Sequence, residues 1–396
     1  MMRPRVRALS MTDHFEKDTI ISGIGISKIG RKTGIPGMDL TRQAATQAIA
    51  DAGLKNEDID GIATIGDVPL EEVVTDLGLS TRYTGGGYDN AGLMSPVIAA
   101  MLAVASGKAR HVLVYRTVMM MGGSMLQDDR TVASAPGRVA PFNGMMADMS
   151  RLMVYHAYAA PNWLAMHCNR HMHLYGTTKE QLGWLAISSR EKAGLNLLAA
   201  YRDPLTMDEY MNARLVSTPF GLYDCDVPVD GSIALVISHK DFAPDCPKPV
   251  RVNAMGGADG MGSWLRRPDF PGMASVDAAE EMWSRTDLKP ADINMAQLYD
   301  GFTYITLAWL EALGFCKQGE SGPFVEGGTR IALDGELPLN TYGGQLSAGR
   351  MHGYWIIHEA CLQLRGEAGD RQVSRHETAV VGSGGGPFAG ALLLTN

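Results

Sequence analysis

The run Asn340-Thr-Tyr-Gly-Gly-Gln-Leu-Ser-Ala-Gly-Arg-Met-His-Gly353 holds the densest group of side chains suited to chemistry in this sequence. Arg350 is a permanent cation and a poor general base. His352, two residues on, is of a type whose ordinary pKa suits acid–base work. Tyr299 and Asp300 place a phenol and a carboxylate together at the end of a strand-like run. A phenol has an ordinary pKa of about 10, so it needs a nearby cation or strong hydrogen bonds to act as a base. Near the C-terminus, Gly382-Ser-Gly-Gly-Gly386 would let backbone at Gly384 and Gly385 approach a ligand, with the Ser383 hydroxyl beside it. Each candidate has a structural alternative: a core tyrosine for Tyr299, a helix cap for Asp300, an ion pair for Arg350, a backbone-bonded ring for His352 and a turn residue for Ser383.

The elements that must position these groups occur twice. Ala44-Ala45, Leu54-Lys55 and Asp58-Ile59 recur as Ala278-Ala279, Leu288-Lys289 and Asp292-Ile293. In each half an amphipathic helix ends and a short polar turn leads to a strand, Gly61–Ile65 or Met295–Tyr299. Next comes a glycine-rich turn, Gly85–Gly92 or Gly343–Gly349. A helix follows, ending near 106–107 or 365–366, and then strands at His111–Tyr115 and Thr378–Val381. The last strands, Ile233–Ile237 and Gly390–Thr395, are continuously apolar, as strands covered on both faces should be. This alternation predicts α/β layers with mostly parallel central sheets. The paired turns would gather helix N-termini on one face, where an enolate or oxyanion is stabilised. Between about 117 and 230 the first half is interrupted by helix-like patterns at 149–158, 163–174 and 179–199, long enough to cap a cleft. The Asp-, Pro- and Gly-rich stretch 217–231 then either pins this insertion or touches a substrate.

Composition narrows the function class. A net charge of -8 over 396 residues argues against a nucleic-acid or anionic-membrane surface. The sequence contains no apolar run long enough for a membrane span. The basic start Met-Met-Arg-Pro-Arg-Val-Arg lacks the apolar core of a signal peptide and reads as a tail. Five widely spaced cysteines, with no C-x-x-C pair, give neither a disulfide framework nor a structural zinc site, which fits a reducing cytoplasm. His167, His171 and His173 have no carboxylate at metal-ligand spacing and read as insertion-face residues, so no metal is expected.

From about Thr19 to Thr395 the chain resembles the thiolase superfamily, in particular the lipid-transfer-protein-like branch of the sterol-carrier-protein thiolases. The resemblance rests on Gln297-Leu-Tyr-Asp-Gly-Phe302, Leu337-Pro-Leu-Asn-Thr341, Gly343–Gly353, Gln363-Leu-Arg-Gly366 and Gly382–Gly386 taken together. It implies a five-layered α/β/α/β/α fold of two pseudo-symmetric halves and a homodimer. The expected organisation is an irregular tail over 1–18, an N-terminal half over 19–245 that includes the insertion, and a C-terminal half over 246–396.

Three departures from the thiolase pattern determine the expected chemistry. The nucleophilic cysteine position falls on Asn90, the catalytic histidine of G-G-x-L-S-x-G-H-P-x-G is Arg350, and the C-terminal cysteine is Gly382. Claisen cleavage needs a thiol to hold the acyl group. Retro-aldol cleavage needs only proton removal from a β-hydroxyl and a stabilised thioester enolate. Tyr299 stands at the family's N-E-A-F position and resembles the tyrosine of thiolase-like aldolases of steroid side-chain breakdown. The resemblance therefore implies a CoA-ester aldolase that splits a β-hydroxyacyl-CoA, of steroid or bile-acid type, into a ketone or aldehyde and a short acyl-CoA. Tyr299, Arg350, His352 and Asp300 are its catalytic candidates, and Asn90, Tyr342, Gly344, Ser383, Gly384 and Gly385 its substrate-binding candidates. CoA enters as part of the substrate, with no covalently bound cofactor. A DUF35 protein, with an OB fold and zinc ribbon, is the partner implied, in a heterotetramer. The alternatives are an acyltransferase with an unusual nucleophile and a non-catalytic lipid-binding or scaffold subunit.

Overall fold

The computed structural model describes residues 14–65, 68–87, 91–121, 150–258, 265 and 267–396. The first half contains β1 (Thr19–Ile26), α1 (Gly37–Asp51), β2 (Gly61–Thr64), α2 (Leu70–Leu77), β3 (Tyr83–Gly86), α3 (Ser95–Ala105) and β4 (His111–Met119). The insertion carries α4 (Ala160–Tyr175), α5 (Lys179–Gly194) and a small hairpin, β5 (Leu215–Ser217) and β6 (Phe220–Gly221). Then come β7 (Asp230–His239), β8 (Val250–Ala258), α6 (Ala274–Ser284), β9 (Met295–Leu298), α7 (Thr303–Ala312), α8 (Tyr354–Leu364), β10 (Thr378–Gly384) and β11 (Ala389–Thr395).

Nine of these strands form one sheet in the order β3-β2-β4-β7-β1-β8-β11-β10-β9, and β5 and β6 pair separately. The internal repeat is visible in this order. In each half a parallel pair (β2–β4 or β9–β10) is followed by two antiparallel pairs (β4–β7–β1 or β10–β11–β8). The halves join where Ile20 and Ile21 of β1 pair with Arg251 and Val250 of β8. The expectation of mostly parallel sheets is corrected: among the described strands, only β2–β3, β2–β4 and β9–β10 pair in parallel. Helical crossovers produce those three pairs, whereas the short connection from β10 to β11 can only make an antiparallel hairpin.

Three apolar clusters account for the five layers. On one outside face, Ala44, Ala45, Ala48 and Ile49 of α1 pack on Ile62, Leu113, Ala234 and Val236. In the middle, α3 and α8 lie between inward-facing residues such as Ile233, Leu235, Ile237, Leu392 and Leu394. On the other outside face, α6 and α7 cover Ala254, Val380, Ala391 and Leu393. Within β7 and β11, alternate residues thus serve different layers, the period-two rule acting on a strand apolar on both faces. A Cβ on Gly25 would stand 2.1 Å from Ala44 O, and one on Gly256 would stand 2.0 Å from Ala278 O. These equivalent glycines let α1 and α6 close onto the sheet in both halves.

Ordered backbone starts before the expected boundary at 19. Phe15–Asp18 form a 3-10 turn, Phe15 is buried in the middle layer, and Glu16 pairs with Arg285 at 3.1 Å. In the insertion, residues 150–153 are helical, while Met149 lies outside the described residues. The helix expected over 179–199 ends at Gly194. Beyond it Asn196 turns its amide onto Tyr342 O (2.9 Å) and accepts from Leu198 N (3.1 Å), an interaction that competes with continued helix. The insertion docks on the C-terminal half. Lys192 is buried, donates to Ser188 Oγ, Ile331 O and Leu339 O, and is pushed down to about 7 by burial. Among the described residues, no helix is long and apolar enough to cross a membrane.

Candidate active site

The glycine-rich turn of the second half sets the geometry. Gly343 (φ 102°), Gly344 (φ 61°) and Gly349 (φ 142°) adopt conformations that other residues rarely take, and Gly344–Ala348 form a single π-helical turn. A Cβ on Gly344 would stand 1.9 Å from Asp300 Oδ2. Asp300 fills that space. Its Oδ1 accepts from Gln345 N at 2.8 Å, and its Oδ2 lies 3.5 Å from Leu346 N. Burial pushes Asp300 up to about 7, against the pull of those backbone donors. The carboxylate is therefore spent on holding the turn rather than on capping the helix that follows it in sequence. Gly344 contributes close packing against this carboxylate.

Tyr299 follows β9, and its N–H donates to Gly382 O at 2.7 Å, which ties it to the strand end that precedes Ser383. Burial raises the phenol pKa, the Asp226 charge raises it further, and Arg350 opposes both. Asp226 was not singled out by sequence. It lies in the loop that closes the insertion, and its N–H donates to Gly301 O at 3.1 Å. Its Oδ1 faces Arg350 Nη1 at 3.3 Å. Burial pushes this carboxyl up to about 6, and Arg350 opposes the rise. The only signal in the sequence is the Asp-rich composition of 217–231, which does not separate Asp226 from Asp224. The structure separates them: Asp224 is buried among Tyr210 Oη, Thr303 Oγ1, Gly221 N and Lys179, as a structural anchor.

Arg350 is anchored by its own N–H on Val227 O (2.8 Å), and its Nε and Nη2 lie 3.0 and 2.9 Å from Met120 Sδ. His352 (φ 51°) accepts at Nδ1 from Arg116 Nε (3.1 Å) and Nη2 (2.5 Å). Burial, then Arg116, then Arg350 hold its pKa well below the ordinary value. The expectation that His352 titrates in the useful range is thus corrected: the ring stays neutral. With Nδ1 occupied as an acceptor, its proton sits on Nε2.

The other candidates are distributed unevenly. Tyr342 is fully buried and stacked on Trp355 (5.0 Å, 29°), which places it in the middle core layer. Ser383 is buried with no hydrogen-bond partner for Oγ among the described residues, and a Cβ on Gly353 would stand 2.1 Å from that oxygen. Gly384 O accepts from Trp309 Nε1 (3.0 Å), and Gly385 N donates to Phe388 O (3.0 Å), so these backbone groups are engaged within the turn. Asn90 lies outside the described residues. Two residues on, a Cβ on Gly92 would meet the Phe388 ring at 1.9 Å, so the first-half turn abuts the C-terminal one. His171 is held by Glu311 (2.9 Å) and Thr177, and no group of three metal-ligating side chains occurs among the described residues.

The thiols are also informative. Burial raises the pKa of all five, to about 12 at Cys225, Cys316 and Cys361. Cys225 adjoins Asp226 in sequence, and nearby Asp224 and Asp226 add to its rise. None has the depressed pKa of a nucleophilic cysteine.

The layered fold, its repeat and the paired turns define the thiolase fold, and residues 258–394 match the family model described as thiolase C-terminal domain-like. The chain belongs to the thiolase superfamily. It is 32% identical to a steroid side-chain-cleaving aldolase of Thermomonospora curvata, covering 94% of this chain and 97% of that one. It is 31% identical to 17-hydroxy-3-oxo-4-pregnene-20-carboxyl-CoA lyase of Mycobacterium tuberculosis, over 94% and 98% of the two chains. The solved Ltp2-ChsH2(DUF35) aldolase superposes with a TM-score of 0.85 at 30% identity, covering 97% of this chain and 99% of that one.

Proposed function

We propose that this protein is a CoA-thioester aldolase that cleaves a β-hydroxyacyl-CoA by retro-aldol chemistry. The observation that carries the reading is Tyr299, set within electrostatic reach of Asp226 and Arg350 in a thiolase frame where no thiol is activated. Asp226, with a pKa of about 6, is ionised near neutrality and serves as the terminal proton acceptor. Tyr299, whose proton is held tightly, carries the proton: it receives the substrate's β-hydroxyl proton as it passes its own to Asp226. The β-oxygen then forms a carbonyl, the Cα–Cβ bond breaks, and its electron pair enters the thioester enolate. Cα then takes a proton from solvent and Asp226 releases its proton to solvent, which completes the acyl-CoA and restores the site.

The enolate oxygen needs a donor that does not itself ionise. His352, neutral and with its proton on Nε2, meets that need, and Arg116 fixes the tautomer. Arg350 holds Asp226 in place and offsets charge as the enolate forms. Asp300 acts through the turn it holds, as a positioning residue. Ser383 is assigned to the thioester side of the cleft.

The named substrates of the two relatives support a steroid side-chain CoA ester, with CoA entering as part of the substrate. The name of the solved complex supports a DUF35 partner, and we assign an assembly of two copies of each chain. The test is to incubate the purified chain, alone and with a DUF35 protein, with a panel of β-hydroxyacyl-CoA esters. Release of a ketone or aldehyde together with a shorter acyl-CoA is expected. Absence of cleavage throughout the panel, with an acyl-enzyme adduct formed from a 3-oxoacyl-CoA, would overturn the reading.

A further inference from the structure

Gln345 occupies the variable position of Gly343-Gly344-Gln345-Leu346-Ser347. Its main chain is clamped at both ends. Its N–H donates to Asp300 Oδ1 at 2.8 Å, and its C=O accepts from Val227 N at 2.9 Å. These anchors adjoin Tyr299 and Asp226 in sequence, so the residue is fixed between the two proton-transfer groups. The side chain is 1% exposed, yet neither Nε2 nor Oε1 has a hydrogen-bond partner among the described residues.

A primary amide has two donors and an acceptor, and burying it unpaired is costly. Such groups are rare in folded proteins, and each calls for a physical reason. The amide lies against the Tyr299 phenol, close enough to favour its ionised form but without hydrogen-bond geometry. Asp300 and Val227 fix the backbone of this π-helical turn. The unused hydrogen-bonding capacity is therefore held beside the atom that handles the proton.

We propose that Gln345 is a further catalytic residue, whose Nε2–H donates to the oxygen on the substrate's β-carbon. This rests on the retro-aldol reading. That oxygen loses its proton to Tyr299 and carries partial negative charge until the Cα–Cβ bond breaks and the carbonyl forms. A fixed donor stabilises this charge without reorganising. The same contact selects ligands that bear a β-oxygen over those that lack one, because without that oxygen the amide stays unpaired.

The test uses Gln345→Met, similar in length but apolar, and Gln345→Glu, assayed at alkaline pH where the ionised carboxylate keeps acceptors and has no donor. Turnover and thermal unfolding are measured in the assembly as it purifies. Binding of a β-hydroxyacyl-CoA and its β-deoxy counterpart is measured in a Tyr299→Phe background, where turnover does not interfere. Turnover should fall about 100-fold in both variants, the usual effect of losing one such donor. The preference for the hydroxylated ligand, about tenfold or more in the parent, should collapse in both. Gln345→Met should unfold no earlier than the parent, since it removes an unpaired buried amide. Earlier unfolding with the ligand preference intact would assign Gln345 a structural role and overturn the proposal, as would unchanged turnover and preference. If the wild-type protein cleaves no β-hydroxyacyl-CoA but the Gln345-dependent preference is present, the retro-aldol reading falls and the β-oxygen contact stands.

Discussion

Arg350 Nη1 and Asp226 Oδ1 meet at 3.3 Å, joining the glycine-rich turn of the C-terminal half to the loop that closes the insertion. The pair is unequal: the Asp226 side chain is 8% exposed and that of Arg350 is 32%. A buried carboxylate facing a half-solvated cation gains less from pairing than it loses by desolvation. The result is a carboxyl at about 6 rather than a deeply ionised one, which favours a proton acceptor over a structural tie.

Activity should therefore depend on pH through Asp226. The working form is the carboxylate, so kcat/KM rises as pH climbs through about 6. Asp226→Asn should abolish that limb and lower kcat by about 100-fold or more. The stability effect has the opposite sign. A folded pKa above the unfolded one means that the folded state binds the proton more tightly, so this group's contribution to stability falls as pH rises from about 4 to about 6. Rate profiles and urea unfolding across this range check both signs.

Tyr299→Phe removes the proton carrier while preserving the ring. Turnover should fall by about 100-fold or more, with the unfolding temperature unchanged because the buried ring surface remains. Near-wild-type cleavage rates in this variant would remove Tyr299 from the mechanism.

Arg116 acts through His352. Removing it by Arg116→Met takes a cation away from the imidazole and frees Nδ1. The histidine pKa should rise toward its ordinary value, and both tautomers should be populated. Nitrogen chemical shifts of labelled His352 report the tautomer directly. Activity should drop by less than the roughly 100-fold expected for losing the donor itself. A single Nε2–H tautomer persisting in the variant would show that Arg116 does not set it.

Gly344→Ala combines a φ of 61° with a Cβ placed 1.9 Å from Asp300 Oδ2. The strained backbone alone costs about 1–3 kcal/mol, and displacing Asp300 releases Gln345 N. We expect a lower unfolding temperature, and a kcat loss that persists below the unfolding range. Calorimetry with steady-state kinetics at low temperature separates the two effects.

The repeat and the paired glycine-rich turns were legible in the sequence, because period-two and helical patterns, and glycines at sharp turns, are local signals; the five layers followed from the resemblance to the thiolase superfamily. So was the loss of the thiolase cysteines, which is a matter of residue identity. Strand direction was less legible: patterning shows that β10 and β11 are buried strands, but the length of the turn between them makes them antiparallel. The candidate site was legible only in part. Tyr299, Arg350 and His352 are brought into one charged neighbourhood, while Tyr342 is drawn into the core by stacking on Trp355.

Sequence alone determined the repeat and the α/β alternation, and its resemblance to the thiolase superfamily implied the scaffold and which chemistry had been removed from it. Tertiary structure decided what replaced that chemistry. Asp226, Arg116 and Gln345 acquire their roles from burial and from partners more than a hundred residues away in the chain, or from the lack of a partner. Desolvation and long-range pairing set their proton affinities and hydrogen-bonding capacity, and neither leaves a periodic trace in the order of the residues.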